Sequence, residues 1–179
     1  MTFDTAERRP PVAAADPGAD GIRQRVGRYD FAAHRCFACG QLNLAGLRLQ
    51  LHAAGDRCWT ETTLPDQFQG WEGITHGGVV AAILDEVMAW SLIGADRLGF
   101  TARLEVDFRR PVPVQVPIRA EGWITERRRQ RFDARALITA AMTDDVLAEA
   151  RAVYLAAPKA QEAALRERYD IRVVEEVAR

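Results

Sequence analysis

The 179 residues are enough for one domain with a core of its own, and fractions of 48% apolar and 27% charged residues are ordinary for a soluble globular protein. The net charge of −1 excludes a general attraction to nucleic acid or to an anionic membrane, so any basic site must be local. Three cysteines and an N-terminus without the apolar run of a signal peptide argue against a disulfide framework and predict a cytoplasmic protein.

The N-terminal 28 residues are rich in Pro, Ala, Asp, Gly and Arg without clear periodicity, which predicts a mobile arm over residues 1–28. The folded domain is expected over residues 29–158, with a surface helix and tail over residues 159–179. Its first strand is predicted at 47–51, where leucines alternate with polar residues. A turn separates it from a second predicted strand, rich in threonine, over residues 57–64.

One long helix is predicted over residues 76–95, after a loop over 65–75 that contains Gly and Pro. Apolar side chains lie on nearly every side of this helix, so it is expected to be enclosed by the rest of the domain. Asp85 and Glu86 lie near the middle of its apolar stretch, which would carry a heavy cost in a bilayer. The segment therefore predicts a buried helix rather than a membrane span.

The apolar period changes to two after the helix, and predicts strands over 101–109, 114–125, 132–142 and 146–156. In the first of them the apolar face begins with Ala102, and Thr101 begins the polar face. Consecutive strands joined by short turns indicate an antiparallel sheet, and one apolar helix needs such a sheet to cover it. The pattern predicts an α+β fold with about six strands around one central helix.

Two consecutive glycines, Gly77 and Gly78, stand where the helix begins. The first amides of a helix have no partner within the helix, and the helix dipole is positive there. Without a Cβ, a ligand can approach that backbone closely, which is what an oxyanion hole requires. A simple tight turn entering a helix explains the same two residues.

Asp85 lies in the middle of the same helix, in a segment too apolar to be fully exposed to solvent. The residues around it on the helix surface are mostly small, which leaves room beside the carboxylate for a substrate or a second chain. A carboxylate in such a place is a candidate general base or nucleophile. The alternative is an exposed Asp85 beside an exposed Glu86.

Residues 70–79 read GWEGITHGGV and are followed by Leu84, Asp85 and Glu86; together they resemble the hotdog-fold acyl-CoA thioesterases of the phenylacetate-degradation (PaaI-like) branch. These enzymes carry His-Gly-Gly and an acidic residue nine positions after the His, the separation of His76 and Asp85 here. The CFACG of residues 36–40 and the RPVP of residues 110–113 are similar to further segments of the branch, and the resemblance covers residues 34–157.

The resemblance implies a hotdog fold, a sheet wrapped around the helix, in a homodimer or a dimer of dimers (a homotetramer) with each site built at the interface. It implies hydrolysis of an acyl-CoA-type thioester with no cofactor, the CoA being part of the substrate. Asp85 would be the nucleophile or the general base, and the Gly77 amide would hold the thioester carbonyl. His76 and Gly78 would shape the same turn.

Two further residues are assigned by the resemblance. Thr101 matches a position that often carries a hydroxyl orienting the water or the carboxylate. Gly70 is a departure, because many relatives have Asn six positions before the His. Members that share this glycine rely on the later threonine, so the resemblance does not exclude activity.

Arginines are densest between the second and third of the later strands, at residues 127–129 and 131. A solvated turn explains such a run. The alternative is a phosphate site for CoA, because arginine forks match phosphate oxygens, and Arg128, Arg129 and Arg131 are the candidates for it.

Cys36 and Cys39 have a spacing found in zinc sites, but only His34 and His52 are near them in the sequence, and one such pair is a weak signal. Small apolar packing is favoured, and no metal site is expected. A hydratase is disfavoured because His76 lies in the thioesterase-type turn. A non-catalytic acyl-CoA or lipid binder stays the alternative to hydrolysis; neither nucleic acid nor membrane is an expected partner.

Overall fold

A six-stranded antiparallel sheet packed on one helix forms the main body of the structure, a computed structural model that describes residues 23–174. In chain order the strands are β1 (Arg23–Val26), β2 (Tyr29–Ala32), β3 (His52–Ala54), β4 (Arg57–Thr63), β5 (Gln69–Trp71), β6 (Ile74–Thr75), β7 (Gly99–Phe108), β8 (Pro117–Arg128), β9 (Arg131–Ala140), β10 (Val146–Ala156) and β11 (Arg172–Val173). The helices are α1 (Gly77–Ser91) and α2 (Lys159–Arg168). The main sheet has the order β3-β4-β8-β9-β10-β7, which confirms the predicted α+β architecture with six strands and one long helix.

Helix α1 packs on the sheet through one face. Its buried side chains recur every three or four residues: Val79, Val80, Ile83, Leu84, Val87, Met88 and Ser91. Strand β8 approaches the helix closely, since a Cβ at Gly122 would lie 2.6 Å from the Val87 carbonyl carbon. The opposite face, with Asp85 and Ala89, is only half-buried. The prediction that α1 is enclosed on nearly every side is therefore wrong for the single chain.

Strand β7 is an edge strand and contains a bulge. Arg103 pairs with Val153, but the next pair is Thr101 with Tyr154, so Ala102 is the extra residue. A bulge of this kind interrupts the alternation of faces. Thr101 therefore points to the same side as Leu104, toward α1, and the prediction that these two residues lie on opposite faces is wrong.

A second, three-stranded sheet of order β1-β2-β11 was not predicted. Of the predicted N-terminal arm, residues 1–22 lie outside the described residues, whereas Arg23–Val26 is a strand. In the predicted C-terminal tail, Arg172 and Val173 pair with β2. Strands so short and charged carry no alternating pattern that sequence reading detects.

The strand predicted at residues 47–51 is displaced to His52–Ala54. Leu49 and Leu51 are buried as the alternation implied, but the amides of Leu47 and Leu49 donate to the carbonyls of Phe37 and Ala38. This segment is therefore bonded to the cysteine-containing loop instead of to the sheet.

The loop predicted over residues 65–75 contains the short β5–β6 hairpin, which leads directly into α1. The four strands predicted after the helix are confirmed as β7 to β10, although β8 begins at Pro117 and ends at Arg128. Within residues 23–174, no helix combines the length and the apolar character that a membrane span needs.

Candidate active site

The turn between β6 and α1 is held by His76, which is the N-cap of the helix. The Gly78 amide donates to Nδ1 of His76 at 3.0 Å, and the amides of Val79 and Val80 donate to the His76 carbonyl. A side chain that accepts a hydrogen bond from the first turn stabilises a helix start. His76 therefore shapes the turn, and the Gly78 amide is already occupied.

Gly70, in β5, packs against His76. A Cβ at position 70 would lie 3.2 Å from the His76 Cα and 3.3 Å from its Cδ2, which is tighter than an ordinary van der Waals contact. A larger side chain here would require His76 to shift by a few tenths of an ångström. Gly70 thereby lies behind the turn, in contact with the residue that caps the helix.

The Gly77 amide differs from the other amides at the start of α1. The three amides that follow it all have acceptors, and among the described residues no group accepts from Gly77. Gly77 itself is exposed, with the half-exposed ring of Phe108 beside it. The turn therefore presents one N–H donor to solvent at the positive end of the helix.

Asp85 lies about two turns after Gly77 in α1. The two oxygens of its carboxylate differ in their hydrogen-bond partners. Oδ1 accepts hydrogen bonds from the Thr101 hydroxyl at 2.9 Å and from the Tyr154 hydroxyl at 2.8 Å. Oδ2 accepts none from the described part of the chain. Because Asp85 is half-buried and Thr101 is exposed, the carboxylate is anchored on one oxygen and open on the other.

Tyr154, in β10, is a site residue that sequence analysis missed. Its side chain is fully buried, and its hydroxyl donates to both the Asp85 carboxylate and the Asp85 carbonyl, the latter at 2.9 Å. Burial, and then the negative charge of Asp85, raises the pKa of Tyr154 far above its usual value, so it remains a donor. A signal was present, since Ala148, Ala150 and Ala152 precede it on the helix-facing side, and a buried tyrosine hydroxyl needs a partner.

Glu86 points away from this carboxylate. It is half-buried, and its Oε1 accepts from the indole N–H of Trp90 at 2.8 Å. Burial raises the pKa of Glu86 to about 7. The alternative of two exposed neighbouring acids is therefore wrong, because each carboxylate has its own partially buried environment.

The arginine turn lies at the same end of the sheet as Thr101. Leu155 pairs with Arg131 on one side and with Phe100 on the other. This row of residues is next to the pair of Thr101 and Tyr154. Two strand spacings separate β9 from β7, which is about 10 Å.

The charges of this turn are partly compensated. Arg128 forms an ion pair with Glu126 at 2.6 Å, and Arg131 with Asp133 at 2.7 Å. Arg129, whose φ is 49°, has no ion pair within residues 23–174. Of the three predicted phosphate contacts, only Arg129 therefore carries an uncompensated charge.

The sequence model of the Thioesterase superfamily matches residues 72–146, a segment that contains Gly77, Asp85 and Thr101. No curated protein matches the sequence.

Three solved structures illustrate the likeness in fold. A thioesterase superfamily protein is 23% identical, with a TM-score of 0.64 over 69% of this chain and 65% of its own. A hypothetical thioesterase from Streptococcus pneumoniae, crystallised with coenzyme A, is 14% identical, with a TM-score of 0.56 over 60% of this chain and 84% of its own. The Escherichia coli PaaI protein of the phenylacetic acid degradation operon is 16% identical, with a TM-score of 0.54 over 57% and 74%. The chain therefore has the hotdog fold that the resemblance implied.

Proposed function

We propose that the chain is a thioesterase that hydrolyses acyl-CoA-type thioesters. The observation that carries this proposal is the Asp85 carboxylate, anchored through Oδ1 by two hydroxyls and open at Oδ2. A fixed carboxylate with one free oxygen is suited to take a proton from water or to attack a carbonyl carbon. The fold and the superfamily match support the same chemistry.

In the general-base route, Oδ2 of Asp85 accepts a proton from water while the resulting hydroxide adds to the thioester carbonyl carbon. The Gly77 amide donates to the oxyanion that forms. The C–S bond then breaks, the CoA sulfur leaves with a proton, and the free acid remains. In the alternative route Oδ2 itself adds to the carbonyl carbon, the thiolate leaves, and water hydrolyses the mixed anhydride.

The geometry of α1 favours a site shared between two chains. Gly77 and Asp85 are eight residues apart, which is about 12 Å along a helix axis, whereas an oxyanion donor and a base must meet on one carbonyl group. Strand β7, which carries Thr101, has no second neighbour strand among residues 23–174, and its Phe100 and Phe108 are exposed at 47% and 57%. A homodimer that pairs these edges would bring Gly77 of one chain to Asp85 of the other and cover the apolar rings.

The Streptococcus pneumoniae thioesterase supports CoA as part of the ligand, and Asp85 and Thr101 as site residues. It was crystallised with coenzyme A, and as two alanine variants, of an aspartate and of a threonine sixteen positions apart. Asp85 and Thr101 have the same separation. We infer that CoA is the carrier here too, with Arg129 as the first candidate for its phosphates, and that the chain is of the PaaI-like kind.

The test is a panel of aromatic and aliphatic CoA esters, read by a thiol reagent, with the wild type and Asp85→Asn. The wild type is expected to release CoA, and the variant to lose at least about a hundredfold in kcat because the amide cannot accept the proton. Asp107→Asn, on the outer face of the same edge strand, is the matched control. Tight binding of a CoA ester without release of thiol by the wild type would identify the chain as a binder instead.

A further inference from the structure

The loop that follows β2 brings two cysteines against α1. Cys36 and Cys39 lie beside Glu86, and one ligand atom from each of the three residues falls within 4.8 Å of the other two. The Cys36 Sγ is 3.9 Å and 3.8 Å from the two carboxylate oxygens of Glu86. The third member comes from a helix fifty positions away along the chain, so the cysteine spacing alone could not reveal this cluster.

We propose that Cys36, Cys39 and Glu86 bind a zinc ion, a site separate from the one that holds Asp85. With Zn–S of about 2.3 Å and Zn–O of about 2.1 Å, tetrahedral angles place a sulfur and an oxygen ligand roughly 3.6 Å apart. The distances from Cys36 to Glu86 differ from that value by a few tenths of an ångström. The Cys39 ligand atom lies within 4.8 Å of the other two, so a contraction of at most about 1.2 Å brings all three to zinc-binding distances, with a fourth position left open.

The backbone of the loop is held in place around the two cysteines. The Gly40 amide donates to the Cys36 carbonyl at 3.0 Å, and the Leu49 amide donates to the Ala38 carbonyl at 2.9 Å. These hydrogen bonds fix the loop that carries both thiols.

A second layer of contacts orients the ligands. The Trp90 indole N–H holds Oε1 of Glu86, while the Trp90 ring stacks on Phe31 at 4.9 Å. His34 accepts the Cys36 amide through Nδ1 at 3.2 Å, which leaves the proton on Nε2, 3.8 Å from the Cys39 sulfur. His34 is therefore an orienting neighbour and not a ligand. Such partners fix ligand geometry in metal sites.

The donor set selects the metal and leaves a coordination position open. Two thiolates and one carboxylate favour Zn²⁺ over Mg²⁺ or Ca²⁺, which prefer oxygen ligands. The three residues also line a cavity of about 260 Å³ with Phe31 and Tyr169, so water or a small ligand has access to the fourth position. The ion would fasten the loop to α1 next to Asp85, whether or not the chain hydrolyses thioesters.

The test uses the full chain, purified without a metal-affinity tag under reducing conditions. We expect about one zinc per chain by elemental analysis, and thiolate-to-metal charge-transfer absorption when Co²⁺ replaces it. Cys36→Ser, Cys39→Ser and Glu86→Gln should each lose the zinc and the absorption. Cys58→Ala, which removes a buried cysteine outside the cluster, should keep both.

Trp90→Phe and a thermal scan extend the same test. Trp90→Phe keeps an aromatic ring on Phe31 but removes the donor to Glu86, so zinc affinity should fall about tenfold to a hundredfold. A zinc chelator should lower the Tm of the wild type, since the ion binds the folded state, but not that of Glu86→Gln.

Two results would overturn the zinc site. One is a fully reduced wild type that takes up neither Zn²⁺ nor Co²⁺, and the other is a cysteine variant that binds zinc as the wild type does. Each can be observed on folded protein, so misfolding of a single variant does not protect the proposal.

Discussion

The two oxygens of the Asp85 carboxylate differ because two hydroxyls reach the same one. Thr101 and Tyr154 both donate to Oδ1, and the buried tyrosine also donates to the Asp85 carbonyl. Hydrogen bonds to a charged group are stronger than neutral ones and fix its rotamer. Oδ2, the oxygen proposed to react, is therefore held in place by hydrogen bonds to the other oxygen of the same carboxylate.

Tyr154→Phe tests this positioning role. Loss of one charge-assisted hydrogen bond, about 1.5–3 kcal/mol, should lower kcat about tenfold to a hundredfold with a small change in KM. Tyr29→Phe is the matched control, since Tyr29 is also buried but its hydroxyl donates to Asp96 at 2.6 Å. The measurement is steady-state kinetics on the preferred CoA ester. A Tyr154→Phe variant with the wild-type kcat would contradict the role of Tyr154 in positioning the Asp85 carboxylate.

The Gly77 amide can be removed with little disturbance of the helix. Proline has no N–H but is well tolerated at the first helical position, and His76 has the extended ψ of 134° that a residue before proline prefers. Gly77→Pro should therefore fold and lose about a hundredfold to a thousandfold in kcat. Gly77→Ala keeps the donor and should lose much less activity than Gly77→Pro. Equal kinetics for the two variants would remove Gly77 from the oxyanion hole.

Among the elements, helix α1 and strand β8 approach each other closely at Gly122. Gly122→Ala places a Cβ 2.6 Å from the Val87 carbonyl carbon, where only backbone can move. Overpacking of this kind should cost about 1–3 kcal/mol of the free energy of unfolding, measured by urea denaturation. Gly77→Ala is the control, since its Cβ meets only the exposed Phe108 ring, at 3.4 Å. Equal stability of the two variants would show that β8 is not held this tightly.

The bulge at Ala102 is the other decisive feature of the elements. It turns Thr101 toward α1 while the rest of β7 keeps its alternation. Because a bulge exists only relative to the partner strand, no pattern within residues 101–109 reveals it. The resemblance named Thr101 as a site residue, but the strand pattern alone assigned it to the wrong face.

For the whole molecule, the proposed site shared between two chains predicts complementation between two inactive variants. Asp85→Asn and Gly77→Pro should each be nearly inactive alone. In a mixed dimer, one site combines the intact Gly77 of one chain with the intact Asp85 of the other. Co-expression with random pairing should restore about a quarter of the wild-type activity, if the dimer has two-fold symmetry.

The assay compares co-expressed and separately purified variants at equal total protein, with size-exclusion chromatography to follow dimers and tetramers. Activity that stays at the sum of the two separate variants would mean that both groups act within one chain.

The local features of this protein follow from short stretches of its amino-acid sequence. Neighbouring residues alone specify the change of apolar period from helix to strand, the helix start at residues 76–78 and the position of Asp85. The change of period predicted the α+β architecture. Periods of this kind are visible wherever one face of an element is buried and the other is not.

The contacts between distant segments depend on how the elements pack in three dimensions. This packing brought Tyr154 and Thr101 onto one oxygen of Asp85, and it placed Glu86 against Cys36 and Cys39. It also placed β1 and β11, from the two ends of the described chain, on opposite sides of β2 in one small sheet. These contacts depend on strand register and on the approach of one element to another, which residues near one another in the chain do not specify.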